Sequence, residues 1–171
     1  AKAWETIGSL KSEFRGASFR GEGRILAGVH DSNGNYLRYL AAGLGKFTLL
    51  STGTWIIGFD TEATPGVLDE TRDTVINVDV LGNRVVCCRF FGGHEFDVVN
   101  KGARPEAAGL AAVARLIEQG TLALPSFSDA GGPVPGTGNK GSIIGPQPEG
   151  DAEHASLASL YCALMVAESL T

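Results

Sequence analysis

Residues 47–60 read Phe47-Thr48-Leu49-Leu50-Ser51-Thr52-Gly53-Thr54-Trp55-Ile56-Ile57-Gly58-Phe59-Asp60. Two apolar runs rich in β-branched and aromatic residues flank a hydroxyl-rich glycine segment, Ser51-Thr52-Gly53-Thr54. Such a pattern predicts two strands joined by a tight turn. Downstream, residues 74–81 alternate, with Ile76, Val78 and Val80 on one face and Asn77 and Asp79 on the other. Gly82-Asn83 is a turn signal, and residues 84–91 return as a strand rich in Val, Cys and Phe. A second hairpin is therefore expected after the acidic loop at 61–73.

Upstream, Ile25-Leu26-Ala27-Gly28-Val29 is a continuous apolar run that predicts a buried strand. It ends in His30-Asp31-Ser32-Asn33, and Leu37, Leu40, Ala41 and Leu44 then follow helical spacing until Gly43 and Gly45 stop it. Trp4, Ile7, Leu10 and Phe14 predict a short helix before Gly21-Glu22-Gly23. Beyond the hairpins, Gly92-Gly93 opens a short segment. Pro105 suits the start of a helix whose stripe is Leu110, Val113, Ala114 and Ile117, ended by Gly120. Residues 125–150 read as one long Gly/Pro loop, relieved by a strand hint at Ser142-Ile143-Ile144-Gly145. A last helix over 151–170 carries acids at its start and the stripe Leu157, Leu160, Tyr161, Leu164. The order β-α-ββ-ββ-α-α predicts an α/β layered domain. If its sheet were parallel, another strand would follow the last helix.

Composition agrees with a globular chain. It has 171 residues, 43% of them hydrophobic and 19% charged, enough apolar material for a core without disulfide or metal staples. Its 24 glycines show no three-residue period, which excludes collagen. A net charge of −5 with 14 Lys+Arg and no basic run argues against a nucleic-acid groove. No apolar stretch has the length of a membrane span, and the first residues do not read as a signal peptide. Three cysteines, two of them the adjacent Cys87 and Cys88, make no disulfide framework, so the cytoplasm is the default location.

Several residues stand where chemistry is done. Asp31 follows a predicted strand and precedes a helix; from position alone it is either a helix cap or a general base. Ser51-Thr52-Gly53-Thr54 is either a plain hairpin turn or a cradle whose backbone N–H groups and hydroxyls face a phosphate. Gly136-Thr137-Gly138-Asn139-Lys140-Gly141 fits G-x-G-x-x-G literally, but a Pro-rich loop precedes it and no helix follows, so a dinucleotide site is not expected. No metal ligands are assigned, because His30, His94 and His154 are scattered and adjacent strand cysteines face opposite ways. Trp4 and Trp55 read as packing residues.

The blocks Gly28-Val29-His30-Asp31-Ser32-Asn33 and Leu50-Ser51-Thr52-Gly53-Thr54-Trp55, with Gly92-Gly93-His94-Glu95-Phe96 and the Ala/Leu-rich last helix, resemble the FGGY family of carbohydrate kinases, most of all its rhamnulokinase- and fuculokinase-like members. The resemblance implies an actin-like (ribonuclease H-like) α/β fold. Residues 1–45 would form a domain-junction segment, and 46–171 part of the C-terminal ATP-binding domain. It implies transfer of the ATP γ-phosphoryl group to a sugar hydroxyl, with Mg2+ and with Asp31 as general base. Ser51, Thr52, Gly53, Thr54, Gly92 and Gly93 would lie at the ATP, and His30, Asp31 and Asn33 at the sugar. The family's Asp-x-Gly-Thr motif and its late Gly-Gly motif are not in this sequence, so the chain is expected to be inactive by itself. An open sheet edge would favour self-association. A non-catalytic module on the same scaffold, or another actin-like ATPase, are the competing expectations.

Overall fold

The computed structural model describes residues 5–9, 23–64 and 68–171. Strands β1 (Thr6–Ser9) and β2 (Arg24–Leu26) form an antiparallel pair. Helix α1 (Asp31–Ala41) leads to β3 (Thr48–Thr52), β4 (Ile56–Asp60), β5 (Thr74–Val78) and β6 (Arg84–Phe90). Helices α2 (Gly92–Asn100) and α3 (Leu110–Glu118), strands β7 (Leu122–Leu124) and β8 (Ser142–Ile144), and helix α4 (Gly150–Ser169) complete the chain.

The two predicted hairpins join into one antiparallel sheet of order β3-β4-β6-β5. The domain is α/β and layered, as expected, but this sheet is antiparallel rather than parallel. Short turns close the β3–β4 and β5–β6 hairpins, and the 61–73 segment carries the chain from β4 to the edge position of β5, so no crossover helix is required. Register then sorts the side chains. Leu49 pairs with Phe59 and Phe59 with Cys87, which puts all three on one face, under α1. Tyr36 of α1 stacks on Phe59, with ring centroids 4.9 Å apart and planes 10° apart. On the opposite face Ile56 and Phe90 join Val99, Leu116, Leu157, Tyr161 and Met165 in a second core, where α2 and α3 pack on α4. Cys87 and Cys88 face opposite layers, as strand geometry demands.

Several sequence expectations need correction. Ile7 lies in a strand, not a helix; Trp4, Leu10 and Phe14 lie outside the described residues. Ile25, Leu26 and Val29 are exposed rather than buried, because among the described residues β2 pairs with β1 alone, outside the four-stranded sheet. On α1 the buried residues are Ser32 and Tyr36; Leu44 lies past the helix end and is exposed. β5 is an edge strand, half-buried along most of its length. Its inward residues are Val75 and Asn77, which pair with Cys87 and Val85, while Asp79 leaves the strand to accept Leu81 N–H and Asn83 N–H at 2.8 Å and so builds the turn.

In α3 the buried residues are Ala112 and Leu116, and Leu110 is 88% exposed. That helix is apolar almost all round, so its contact with α4, helped by a hydrogen bond from Gly109 N–H to Ser156 Oγ at 3.0 Å, selects the face. Pro105 opens a short 3-10 turn instead of α3. On α4 the inward line is Leu157, Tyr161 and Met165, with Leu164 exposed. The strand hint at 142–144 is real and pairs with β7.

Candidate active site

Asp31 is the first residue of α1, and His30 is the cap. The Asp31 carboxylate does not cap the helix from outside; it reaches forward to accept Ser32 N–H at 2.7 Å. His30 Nδ1 lies 2.8 Å from Asp31 Oδ1 and 3.3 Å from Ser32 N. Ser32 N–H thus donates both to His30 Nδ1, as the helix cap, and to the Asp31 carboxylate, and the imidazole stands against the side of that carboxylate. The Asp31 side chain is 91% exposed, so it has one anchored oxygen and open access.

That access is to a cleft of about 280 Å³. One wall is the start of α1, with His30, Asp31 and Ser32; the other is the β3–β4 turn, with Ser51, Thr52, Gly53 and Thr54. Residues about twenty apart in sequence therefore meet because α1 packs along the face of the hairpin that ends in this turn. Trp55, Ile57 and Arg89 form the floor. Asn33 is not in the lining; its amide donates to Val78 O at 3.1 Å and ties α1 to the β5 end.

The turn has a second side. Gly53 and Thr54 also border a cavity of about 350 Å³ shared with Gly93, His94, Phe96 and Asp97. Gly93 N–H donates to Thr54 O at 3.1 Å, so the first turn of α2 is bonded to the hairpin turn. Gly92 borders neither cavity: it is buried, and a Cβ there would sit 2.5 Å from Ile56 Cδ1. Trp55 is more than packing. It lies 4.8 Å from the Phe91 ring, Phe91 lies 4.7 Å from His94, and the Arg89 guanidinium sits 5.4 Å from the Trp55 ring centroid. This aromatic column joins the two cavities. No motif in the sequence marks Arg89; the β4–β6 pairing, which sets it beside Ile57, brings it into the cleft.

Among the described residues no group of three His, Cys, Asp or Glu is arranged to hold a metal ion. Asp31 is the one carboxylate in the cleft lining. A Mg2+ held on phosphates takes one or two carboxylates besides its phosphate and water oxygens, and that carboxylate fits such an ion. No helix is long and apolar enough to cross a membrane among the described residues.

Residues 44–171 match the family model described as "Carbohydrate kinase FGGY, C-terminal domain". None of the curated proteins compared matches. Among solved structures, the crystal structure of a carbohydrate kinase from Novosphingobium aromaticivorans superimposes with a TM-score of 0.72 at 32% identity, over 99% of this chain and 39% of that one. The chain thus spans well under half the length of the kinase it resembles. On both matches the chain belongs to the FGGY carbohydrate kinase family and carries that family's C-terminal domain over residues 44–171.

Proposed function

We propose that this chain is part of a cytoplasmic ATP-dependent sugar kinase, with residues 1–45 at a domain junction and 46–171 forming the nucleotide half. One observation carries the proposal: Asp31 and the Ser51–Thr54 turn, the two family-like blocks, face each other across a single cleft. Asp31 takes the proton of the sugar hydroxyl. That oxygen forms a bond to the γ-phosphorus as the bond to the bridging oxygen breaks, and ADP leaves. His30 orients the carboxylate beside the sugar, and Asn33 fixes the helix start that presents it. Ser51, Thr52 and Thr54 offer hydroxyls and backbone donors to the phosphates of Mg-ATP. Gly53 leaves its side of the turn open, since an added Cβ would meet only Trp55 O, at 3.8 Å. Gly93 lets α2 approach and brace that turn, and Gly92 packs the start of α2 on the core behind it. Phosphoryl transfer needs mainly positioning and charge neutralisation, and two braced walls supply the first.

The test is Asp31→Asn in the full-length protein. Loss of the base should lower kcat by about 10²–10⁴-fold while nucleotide binding by calorimetry stays within about threefold. Unchanged sugar phosphorylation would remove Asp31 as base. Absence of phosphorylation of any sugar by the wild-type protein, with nucleotide binding intact, would favour a binding module or another ATPase.

A further inference from the structure

Arg89 is the one permanently charged cation among the described residues that line the Asp31 cleft. Its place follows from register. Ser51 pairs with Ile57 and Ile57 with Arg89, so three neighbouring strands present Ser51, Ile57 and Arg89 in one row on the face that α1 covers. The next row down is Leu49, Phe59 and Cys87, all buried under Tyr36. Where α1 begins and its cover stops, the row holds a guanidinium instead of an apolar side chain. It is 46% exposed.

Its orientation is over-determined. Nε donates to Asp73 Oδ1 at 3.1 Å, and the guanidinium lies over the Trp55 ring. Among the described residues that bond is the only one Arg89 makes through its side chain, so both Nη groups remain for an anion. Asp73 is itself held. It sits at φ 55, in the left-handed region, where β5 begins, and its side chain is only 15% exposed. Gly131 of the long loop crosses above it so closely that a Cβ on Gly131 would lie 2.8 Å from Oδ2. An ion pair this exposed on the arginine side adds little to stability. A planar fork with Nε fixed and two donors free suits phosphate oxygens better than a lysine would.

We propose that Arg89 is the phosphoryl-facing cation of this cleft, contacting the γ-phosphate oxygens of the bound nucleotide and stabilising the charge that spreads over them during transfer, with Asp73 as its positioning residue. The inference rests on the kinase reading above and adds a residue to it. No bond is made or broken at Arg89; it neutralises charge while Asp31 handles the proton.

The experiment compares Arg89→Ala, Arg89→Lys, Asp73→Asn and Asp31→Asn in the full-length protein with Mg-ATP and its sugar. Arg89→Ala should lower kcat about 10²–10³-fold with the sugar KM within about twofold. Arg89→Lys should fall between it and wild type, and Asp73→Asn should raise the ATP KM. Guanidinium at non-denaturing concentration should restore part of the Arg89→Ala rate and none of the Asp31→Asn rate. Arg89→Ala turnover within threefold of wild type, while Asp31→Asn is inactive, overturns the role of Arg89 and leaves the kinase reading standing. A loss in Arg89→Ala that guanidinium does not relieve also overturns it, as the mark of a structural defect. Wild-type rates in both Asp31→Asn and Arg89→Ala would instead overturn the site reading itself.

Discussion

The backbone N–H of Gly93 donates to the carbonyl of Thr54 at 3.1 Å, and Gly93 has no room for a side chain. A Cβ there would run into the Gly53 carbonyl oxygen and lie 3.0 Å from Thr54 Cα. Main-chain atoms cannot swing aside as the end of a side chain can. The start of α2 and the cleft-facing turn are therefore locked backbone to backbone, and the geometry of one sets the geometry of the other.

Gly93→Ala should push the turn away from α2 by a fraction of an ångström to about 1 Å, enough to cost about 10²-fold in kcat/KM for ATP, mostly through KM. Gly92→Ala meets Ile56 Cδ1 at 2.5 Å and Phe90 Cε2 at 2.8 Å, side-chain atoms of the core rather than the turn. It should lose about 1–3 kcal/mol of stability but keep turnover within about threefold. Steady-state kinetics and urea unfolding of both variants check this. Equal kinetic defects in the two would show that the contact with Gly53 is not what holds the turn.

The hairpin at 47–60 was legible because its period and its turn residues agree, and local rules suffice for a hairpin. Asp31 and the 51–54 turn were legible as words, and packing of α1 on the sheet is what makes them one cleft. Arg89 was not legible, since an arginine in a strand has no local signal; only the pairing with Ile57 puts it in the cleft. The face of α3 was misread for a related reason, and on α4 Leu157 and Tyr161 point inward as expected while Leu164 does not. When Leu, Ala, Val and Ile surround a helix, several stripes fit the spacing, and the neighbour that docks decides between them. The long loop hid its organiser too. Glu95, in the middle of a motif read for its glycines, is fully buried and binds that loop through Ser128 Oγ at 2.7 Å and Phe127 N–H at 3.2 Å.

Glu95 also accepts the Tyr161 hydroxyl of α4 in a short hydrogen bond, so one carboxylate joins α2, α4 and the loop. Burial, and then that bond, push the Tyr161 phenol above its usual range, so it is a donor at neutral pH. Tyr161→Phe should cost about 1–3 kcal/mol by leaving one oxygen underused. Glu95→Ala should cost more, about 3–5 kcal/mol, because three donors lose their acceptor at once. The double variant should cost clearly less than the two single losses combined. Strict additivity in urea titrations would mean that the two groups do not act as a unit.

The thiols should be inert in the native state. Burial pushes Cys87 up to about 12, with the neighbouring Cys88 adding to it, and burial pushes Cys162 up to about 11, with Glu95 adding to it. At pH 8 roughly one Cys87 in ten thousand would be thiolate, and the thiolate is the nucleophile. Iodoacetamide at pH 8 should therefore label Cys87 and Cys162 only after denaturation, by peptide mass mapping. Rapid native labelling of Cys87 would contradict its place under α1.

Acid should weaken the start of α4 in a defined direction. Arg104 Nε donates to Asp151 Oδ2 at 2.6 Å, and that hydrogen bond first, then the arginine's charge, holds Asp151 below its usual 3.8. Asp69 is lowered likewise, first by the Thr71 hydroxyl. A carboxyl depressed on folding binds fewer protons in the native state than in the unfolded one. Its contribution is thus complete above about pH 4 and fades as pH falls through the native value. Asp151 also lies in the first turn of α4, where the helix dipole favours negative charge. Both carboxylates are exposed, so each effect is small and salt-sensitive. Thermal melts from pH 7 to pH 2 should show Asp151→Asn melting below wild type at neutral pH. The gap should close as pH falls below the usual carboxylate range, where wild-type Asp151 is itself protonated, and should shrink in 0.5 M salt. A gap that widens as pH falls would mean that Asp151 is stabilised as the acid and not as the carboxylate.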